Sequence, residues 1–331
     1  MRDIDKTYSL NSISPLLYKN INNFARRKGK RLRPFLFAIS YLGFAKKIAA
    51  GLYKSAVSFE LMHDFLLIHD DIIDKSATRR GKPSMHEMLN KFLTNHKNIK
   101  FSGQDLSIVT GDIVCAISIN SFLAIKEDAK RKEQALKKFI EAITYTACGE
   151  FIELLYGIKK INEITKDDIY KIYDLKTADY TFASPLACGA ILAGADKKQV
   201  HKLYNYGMLL GRAFQIKDDI LGLFSPQTKT GKSCLTDLQE SKKTVLIWYA
   251  YNNSSKKDRA EIKRIFSKKK ASTADLLKIR KIITASGALD YAKEEILTLI
   301  KKADALIKTL RMREKYKTVL NTYLKEILCF I

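Results

Sequence analysis

Long stretches that lack proline and carry apolar residues on a 3.6-residue period dominate this chain: Lys54–Asp74, Ser107–Asp128, Glu133–Tyr156, Asp167–Ala178 and Leu203–Leu223. That period lines apolar side chains along one face of an α-helix. Short alternating strands closed by Asn-Gly or Asp-Gly turns are missing, so an all-β fold has no support. Breaks fall at Thr94–Asp105, Gly157–Thr165, Ser225–Thr236, Asn252–Lys257 and Ser267–Ala274. Thr165 and Asp168 match a capping box, with Asp in place of the usual Glu or Gln, and open the next helix. No repeat of fixed period occurs, and no linker is long enough to force two domains. The expectation is one all-α domain over residues 1–331, built as a helical bundle.

Charge narrows the partners. Lys and Arg number 59 against 35 Asp and Glu, a net +24, with 46% hydrophobic residues. Disorder needs low hydrophobicity as well as high charge, so this is a globular chain. A charge of +24 points to nucleic acid, an anionic membrane surface or small polyanionic substrates. Residues 251–331 hold 20 basic and 9 acidic side chains, 20 − 9 = +11. Lys268-Lys269-Lys270 reads as a solvated loop, and no zinc finger, basic zipper or RNA-binding aromatic signature accompanies it. The opening MRDIDKTYSLNSISP is polar, which does not fit a signal peptide. The longest nearly uncharged small-residue run, Ala183 to Ala195, is too short to span a bilayer and holds Pro and Gly, so no transmembrane segment is expected. Cys115, Cys148, Cys188, Cys234 and Cys329 contain no C-x-x-C pair and read as free thiols of a reducing cytoplasm.

Two acidic clusters carry the chemistry. In the first, His63, Asp70 and Asp74 share one helical face, with Asp71 beside them. Like charges one turn apart destabilise a helix unless something neutralises them, and a hard divalent cation such as Mg²⁺ does so. In the second, Gln215, Asp218, Asp219 and Gly222 follow the i, i+3, i+4, i+7 rule. Bundles build metal sites from such side chains on facing helices. Acidic groups alone would repel an anion, but basic motifs accompany them: Gly29-Lys30-Arg31-Leu32-Arg33-Pro34, Thr78-Arg79-Arg80-Gly81-Lys82-Pro83, Lys176-Thr177, Lys232 and Lys242-Lys243. Arg forks and Lys point charges suit phosphate oxygens. Acids and cations together suit a diphosphate clamped through Mg²⁺.

These motifs, in this order, resemble the trans-isoprenyl diphosphate synthases, from about residue 20 to about residue 249. The resemblance implies a helical fold with a deep central cavity and the two acidic motifs at its mouth. It implies Asp70 and Asp74 as ligands of two Mg²⁺ and Asp218 of a third, supported by Asp71 and Asp219. Arg79, Lys176, Lys232 and Lys242 match contacts to the allylic diphosphate. Lys30, Arg33, His63 and Arg80 match the isopentenyl diphosphate site. Thr177 and Gln215 match groups lining the place where positive charge develops. Phe65 and Leu66, five and four residues before Asp70, match the positions that set the tunnel floor. An aromatic followed by a smaller residue resembles the archaeal-type geranylgeranyl diphosphate synthases, with a farnesyl or mixed-product enzyme as the alternative. A homodimer is implied, and peripheral contact with anionic lipid is open to the basic C-terminal quarter. Two positions depart from the pattern: Gly222 stands where many relatives have a third Asp, and Ser241 where Gly is common. Among competing readings, a non-catalytic subunit would lack ligands present here. A terpene cyclase would lack the isopentenyl set, and a nucleic-acid binder leaves both acidic clusters unexplained.

Overall fold

The computed structural model describes residues 2–225, 236–268 and 270–328, and these fold almost entirely into helices. Two compact units form. One comprises Met1–Ala38 with Ile48–Asp128, the other Ile39–Lys47 with Ala129–Ile331.

The first unit begins with α1 (Arg2–Tyr8), α2 (Leu10–Ile13) and α3 (Pro15–Ala25), and takes the start of α4 (Leu32–Phe44). Ser14 caps α3, whose first residue is proline, where the missing N–H costs no hydrogen bond. Then come α5 (Leu52–Ile73), a two-residue-strand hairpin (β1 Thr78–Arg79, β2 Lys82–Pro83), α6 (Met85–Leu93) and α7 (Gly103–Phe122). Helix α5 lies along α7. Gly111 lets α7 sit tight against α5, because a Cβ there would fall 2.3 Å from the His69 ring. Phe37, Phe59 and Phe122 pack at the core in tilted and edge-on pairs, with ring centroids 5.2 to 6.1 Å apart. The helix expected over Ser107–Asp128 stops at Phe122. Beyond it, Ile125 N–H donates to Ser55 Oγ and Lys126 N–H to Ala50 O, drawing the chain back to the start of α5. Helix α7 is long and apolar enough to cross a membrane by length and composition. Asp105 and Asp112 interrupt its uncharged runs, which is why the sequence does not single it out.

The second unit holds α8 (Ala129–Ile158), α9 (Lys166–Tyr173), a π-helix (Asp174–Ala183), α10 (Ser184–Leu192) and α11 (Lys197–Phe224). Further on lie α12 (Thr236–Gln239), α13 (Val245–Asn253), α14 (Lys256–Phe266), α15 (Thr273–Ala285), α16 (Ala288–Lys308) and α17 (Glu314–Leu328). The capping box at Thr165 and Asp168 opens α9 as the sequence predicts. The helix expected to continue to Ala178 instead widens after Tyr173 into the π form. Helices α8 and α11 flank that segment, and glycines permit it. A Cβ at Gly211 would lie 2.4 Å from Ala178 Cα, at Gly207 2.6 Å from Ala183 Cα, and at Gly149 2.9 Å from Lys176 N. Ser40 of α4 donates to the Leu186 carbonyl, and Arg313 N–H donates to that of Gly43, tying the end of α4 to late helices.

Candidate active site

In the first unit the acidic end of α5 meets the hairpin. Arg80 and Gly81 both have positive φ (54° and 71°), the primed-turn geometry that matches strand twist. A non-glycine residue held there is strained, and such strain clusters at functional sites. The turn folds Arg79 back on α5. Its Nε donates to Asp71 Oδ1 at 2.7 Å and its Nη2 to Asp70 Oδ2 at 2.7 Å. Asp71 is fully buried, whereas Asp70 keeps part of its carboxylate accessible. Carboxylate oxygens of Asp70 and Asp74 lie within 4.8 Å of each other. This all-oxygen donor set fits a hard divalent cation such as Mg²⁺.

Behind the hairpin stand groups that the motif reading passes over. Buried Arg27 donates to the carbonyls of Arg79 (3.2 Å) and Pro83 (2.7 Å), bracing the turn. Arg31, at φ 48°, pairs with Glu60 and donates to the Ala25 carbonyl at 3.0 Å. Arg80 bonds the same Glu60 at 3.3 Å and approaches Asp64 at 3.7 Å. Its guanidinium lies over Gly29, where a Cβ would come within 3.2 Å of it. Burial and the Glu60 charge push the Asp64 carboxyl up to about 7, against the pull of Arg80, Arg31 and Arg33. Burial and then the guanidiniums of Arg33, Arg80, Arg79 and Arg31 hold the His63 imidazole well below its ordinary value. It is therefore neutral at pH 7 and offers a ring N–H. Lys30 is exposed and Arg33 half-buried. One signal for Glu60 and Asp64 was available: they stand one turn apart on the helix that carries His63. Arg27 offered none, since its partners are backbone carbonyls more than fifty residues away.

Phe65 packs against the apolar cluster that includes Ile68, Val114 and Ile117. Its ring meets that of His69 edge-on at 5.2 Å. Leu66 is half-buried.

In the second unit the π-helix presents Lys176 and Thr177. Lys176 Nζ reaches Glu150 at 2.5 Å and also pairs with Glu153, both on α8. Thr177 Oγ1 donates to Gln215 Oε1 at 2.6 Å, and Gln215 Nε2 donates to Asp219 Oδ1 at 2.9 Å. Asp219 is buried, while Asp218 is exposed. Lys242 pairs with Glu240 at 2.8 Å. Lys243 donates to the Gly157 carbonyl at 2.7 Å, and burial lowers its amine to about 8. Ser241 adopts φ 52°, so a β-carbon occupies the left-handed turn before the lysine pair. Lys232 lies outside the described residues. Both acidic pairs repeat one arrangement: the outer carboxylate is the more accessible, and the inner one is buried and bonded to a fixed donor.

A model of the polyprenyl synthetase family matches residues 14–283. The chain is 32% identical to a geranylfarnesyl diphosphate synthase of Aeropyrum pernix, over 90% of this chain and 89% of that one. It is 31% identical to a geranylgeranyl diphosphate synthase of Saccharolobus solfataricus, over 86% and 80%. A crystal structure of geranylgeranyl pyrophosphate synthase from Corynebacterium glutamicum, complexed with isoprenyl diphosphate and magnesium, superposes with a TM-score of 0.88 at 25% identity, covering 98% of this chain and 94% of that one. On its motifs, its helices and this match, the chain belongs to the polyprenyl synthetase family, the trans-isoprenyl diphosphate synthases.

Proposed function

We propose that this enzyme is a short-chain trans-prenyltransferase that condenses isopentenyl diphosphate with allylic diphosphates, with geranylgeranyl diphosphate as its main product. The observation that carries the reading is the repeated acidic pair, an accessible carboxylate (Asp70, Asp218) braced by a buried, bonded neighbour (Asp71, Asp219). Asp70, Asp74 and Asp218 would hold magnesium, three ions per site. When bound, magnesium neutralises charge on the leaving diphosphate.

The chain's own groups do the rest. Arg79, Lys176, Lys232 and Lys242 bind the allylic diphosphate, and their fixed charge favours the oxygen that leaves. Thr177 Oγ1, its proton already committed to Gln215, turns lone pairs toward the allylic cation. Lys30, Arg33, Arg80 and the neutral His63 hold isopentenyl diphosphate so that its double bond stands beside that cation. The proton lost at the end passes to the released diphosphate, so no separate protein base is required. Phe65 and Leu66 close the apolar tunnel. A twenty-five-carbon product is the second reading, favoured by the likeness to a geranylfarnesyl diphosphate synthase.

The same reading gives a single domain, because α4 supplies residues to both units and no one cut in the chain separates them. It also gives a cytoplasmic homodimer. An exposed apolar stripe on α8, Phe151, Leu154, Leu155 and Ile158, at helical spacing, supports a helical interface. Incubation of the purified chain with Mg²⁺, labelled isopentenyl diphosphate and each allylic primer tests the activity. Condensation products that vanish in Asp70→Ala support it, and no product with any primer returns the non-catalytic subunit to the front.

A further inference from the structure

The Tyr173 hydroxyl, buried at the junction of α9 and the π-helix, sits between two segments that carry proposed site residues. It accepts the Val245 N–H at 3.0 Å and donates to Asp219 Oδ2. Val245 is the first residue of α13, immediately after Lys242-Lys243-Thr244, and the first amides of a helix have no partner within it. Thr244 Oγ1 caps the Ile247 amide, and Tyr173 takes the Val245 amide. On its other side the tyrosine completes a relay: Tyr173 to Asp219, Gln215 Nε2 to Asp219 Oδ1, Thr177 Oγ1 to Gln215 Oε1.

Chemistry gives the relay a direction. An ionised carboxylate only accepts, so the Gln215 edge facing Asp219 must be the amino group, and the oxygen must face Thr177. That oxygen takes the Thr177 proton and so decides where the threonine lone pairs point. If Asp219 turned, the amide could reverse and offer N–H toward Thr177 instead. A tyrosine held at both ends stops Asp219 from turning.

We propose that Tyr173 is a positioning residue, which locks the Asp219–Gln215–Thr177 relay in one orientation and ties it to the start of the helix behind Lys242. The inference rests on the proposed roles of Thr177 and Gln215 beside the allylic cation. Tyr173→Phe keeps the ring and removes the hydroxyl. In the full-length chain with Mg²⁺ and both diphosphates, kcat should fall roughly tenfold, as for loss of a hydrogen bond to a charged group, with KM for each substrate within about twofold. In the metal-free chain, hydrogen exchange at the Val245 amide should accelerate, because its acceptor is gone. The deciding measurement is a double-mutant cycle on kcat. Once Thr177→Val has removed the hydroxyl being oriented, adding Tyr173→Phe should cost less than about twofold more.

Losses that multiply, or an unchanged kcat in Tyr173→Phe, overturn the inference and leave a packing role. A parental kcat in Thr177→Val sinks the cation-side roles and the inference with them. If Tyr173→Phe folds poorly, Val245→Pro severs the amide link and leaves the tyrosine in place, at the cost of a change to a buried side chain. Proline suits a first helical position, and Thr244 (φ −81°, ψ 165°) is already extended as a residue before proline must be. The same non-multiplying loss with Thr177→Val is expected there, and multiplication again overturns the inference.

Discussion

Asp64 is 2% exposed and shares Arg80 with Glu60. Its carboxyl titrates near 3.8 in an unfolded chain and near 7 in the fold. Between those values the folded chain holds a proton that the unfolded chain lacks, so stability present below about pH 4 is lost as pH rises through about 7. Asp64→Asn, neutral at every pH, is expected to exceed the parent by on the order of 4 kcal/mol at pH 8 and to match it at pH 4. Denaturant titrations at both pH values check this, and an equal difference at each would refute it. Ser241 tests backbone strain. A β-carbon at φ 52° costs roughly 1 kcal/mol that glycine avoids, so Ser241→Gly should raise the thermal midpoint by about 1–2 °C. An unchanged or lower midpoint counts against it. At Phe65, half-buried against the α5–α7 core, truncation should open the proposed tunnel floor. Phe65→Ala is expected to lengthen the product, read by chromatography of dephosphorylated products; identical lengths would remove Phe65 from the floor.

At the scale of elements, the π-helix holds Lys176 and Thr177 in place, and glycines on α8 and α11 leave it room. Gly211→Ala drives a β-carbon into backbone at 2.4 Å, with a cost of about 2 kcal/mol or more and a fall in kcat, since Thr177 adjoins the displaced Ala178. Gly157 is the contrast. Nothing lies within 4 Å of its would-be β-carbon, and Gly157→Ala near the end of α8 should stabilise by roughly 0.5 kcal/mol. Paired thermal melts decide, and equal shifts would sink the account. This contrast also shows what a sequence displays. The long α-helices are legible because burial repeats every 3.6 residues, and the box at Thr165 and Asp168 because its two residues stand three apart. The π form is not, because its i to i+5 bonds leave no distinct side-chain pattern over ten residues. The hairpin is read only as a cationic motif, because Arg80 at φ 54° is not a residue that announces a turn. Of the site, acids and cations are legible as spaced motifs. Arg27 and Tyr173 are not, since they act through other residues and their partners lie far off in sequence; Glu60 and Asp64 show only through their one-turn spacing on α5.

For the whole molecule, the +24 divides. A motif-bound share (Lys30, Arg33, Arg79, Arg80, Lys176, Lys232, Lys242) is proposed to face diphosphates, and net charge alone could not separate it from the remaining surface lysines. Assembly rests on a different signal, the exposed stripe on α8. Sedimentation velocity should report a dimer, and Phe151→Glu with Leu155→Glu should shift it toward monomer by burying charge at the interface; a monomeric parent would remove the dimer. The sharing of α4 between units has a consequence for biosynthesis. Its second half, with Ile39 and Tyr41 buried in the finished protein, leaves the ribosome early. Gly43 must await Arg313, 313 − 43 = 270 residues later. The half-helix's other tie, Ser40 to the Leu186 carbonyl, spans 186 − 40 = 146 residues, so at about 5–20 residues per second the apolar half-helix waits roughly 7–30 s for its first partner and roughly 15–50 s for Arg313. The nascent chain is therefore most open to chaperones, and to aggregation, long before its last helix is made.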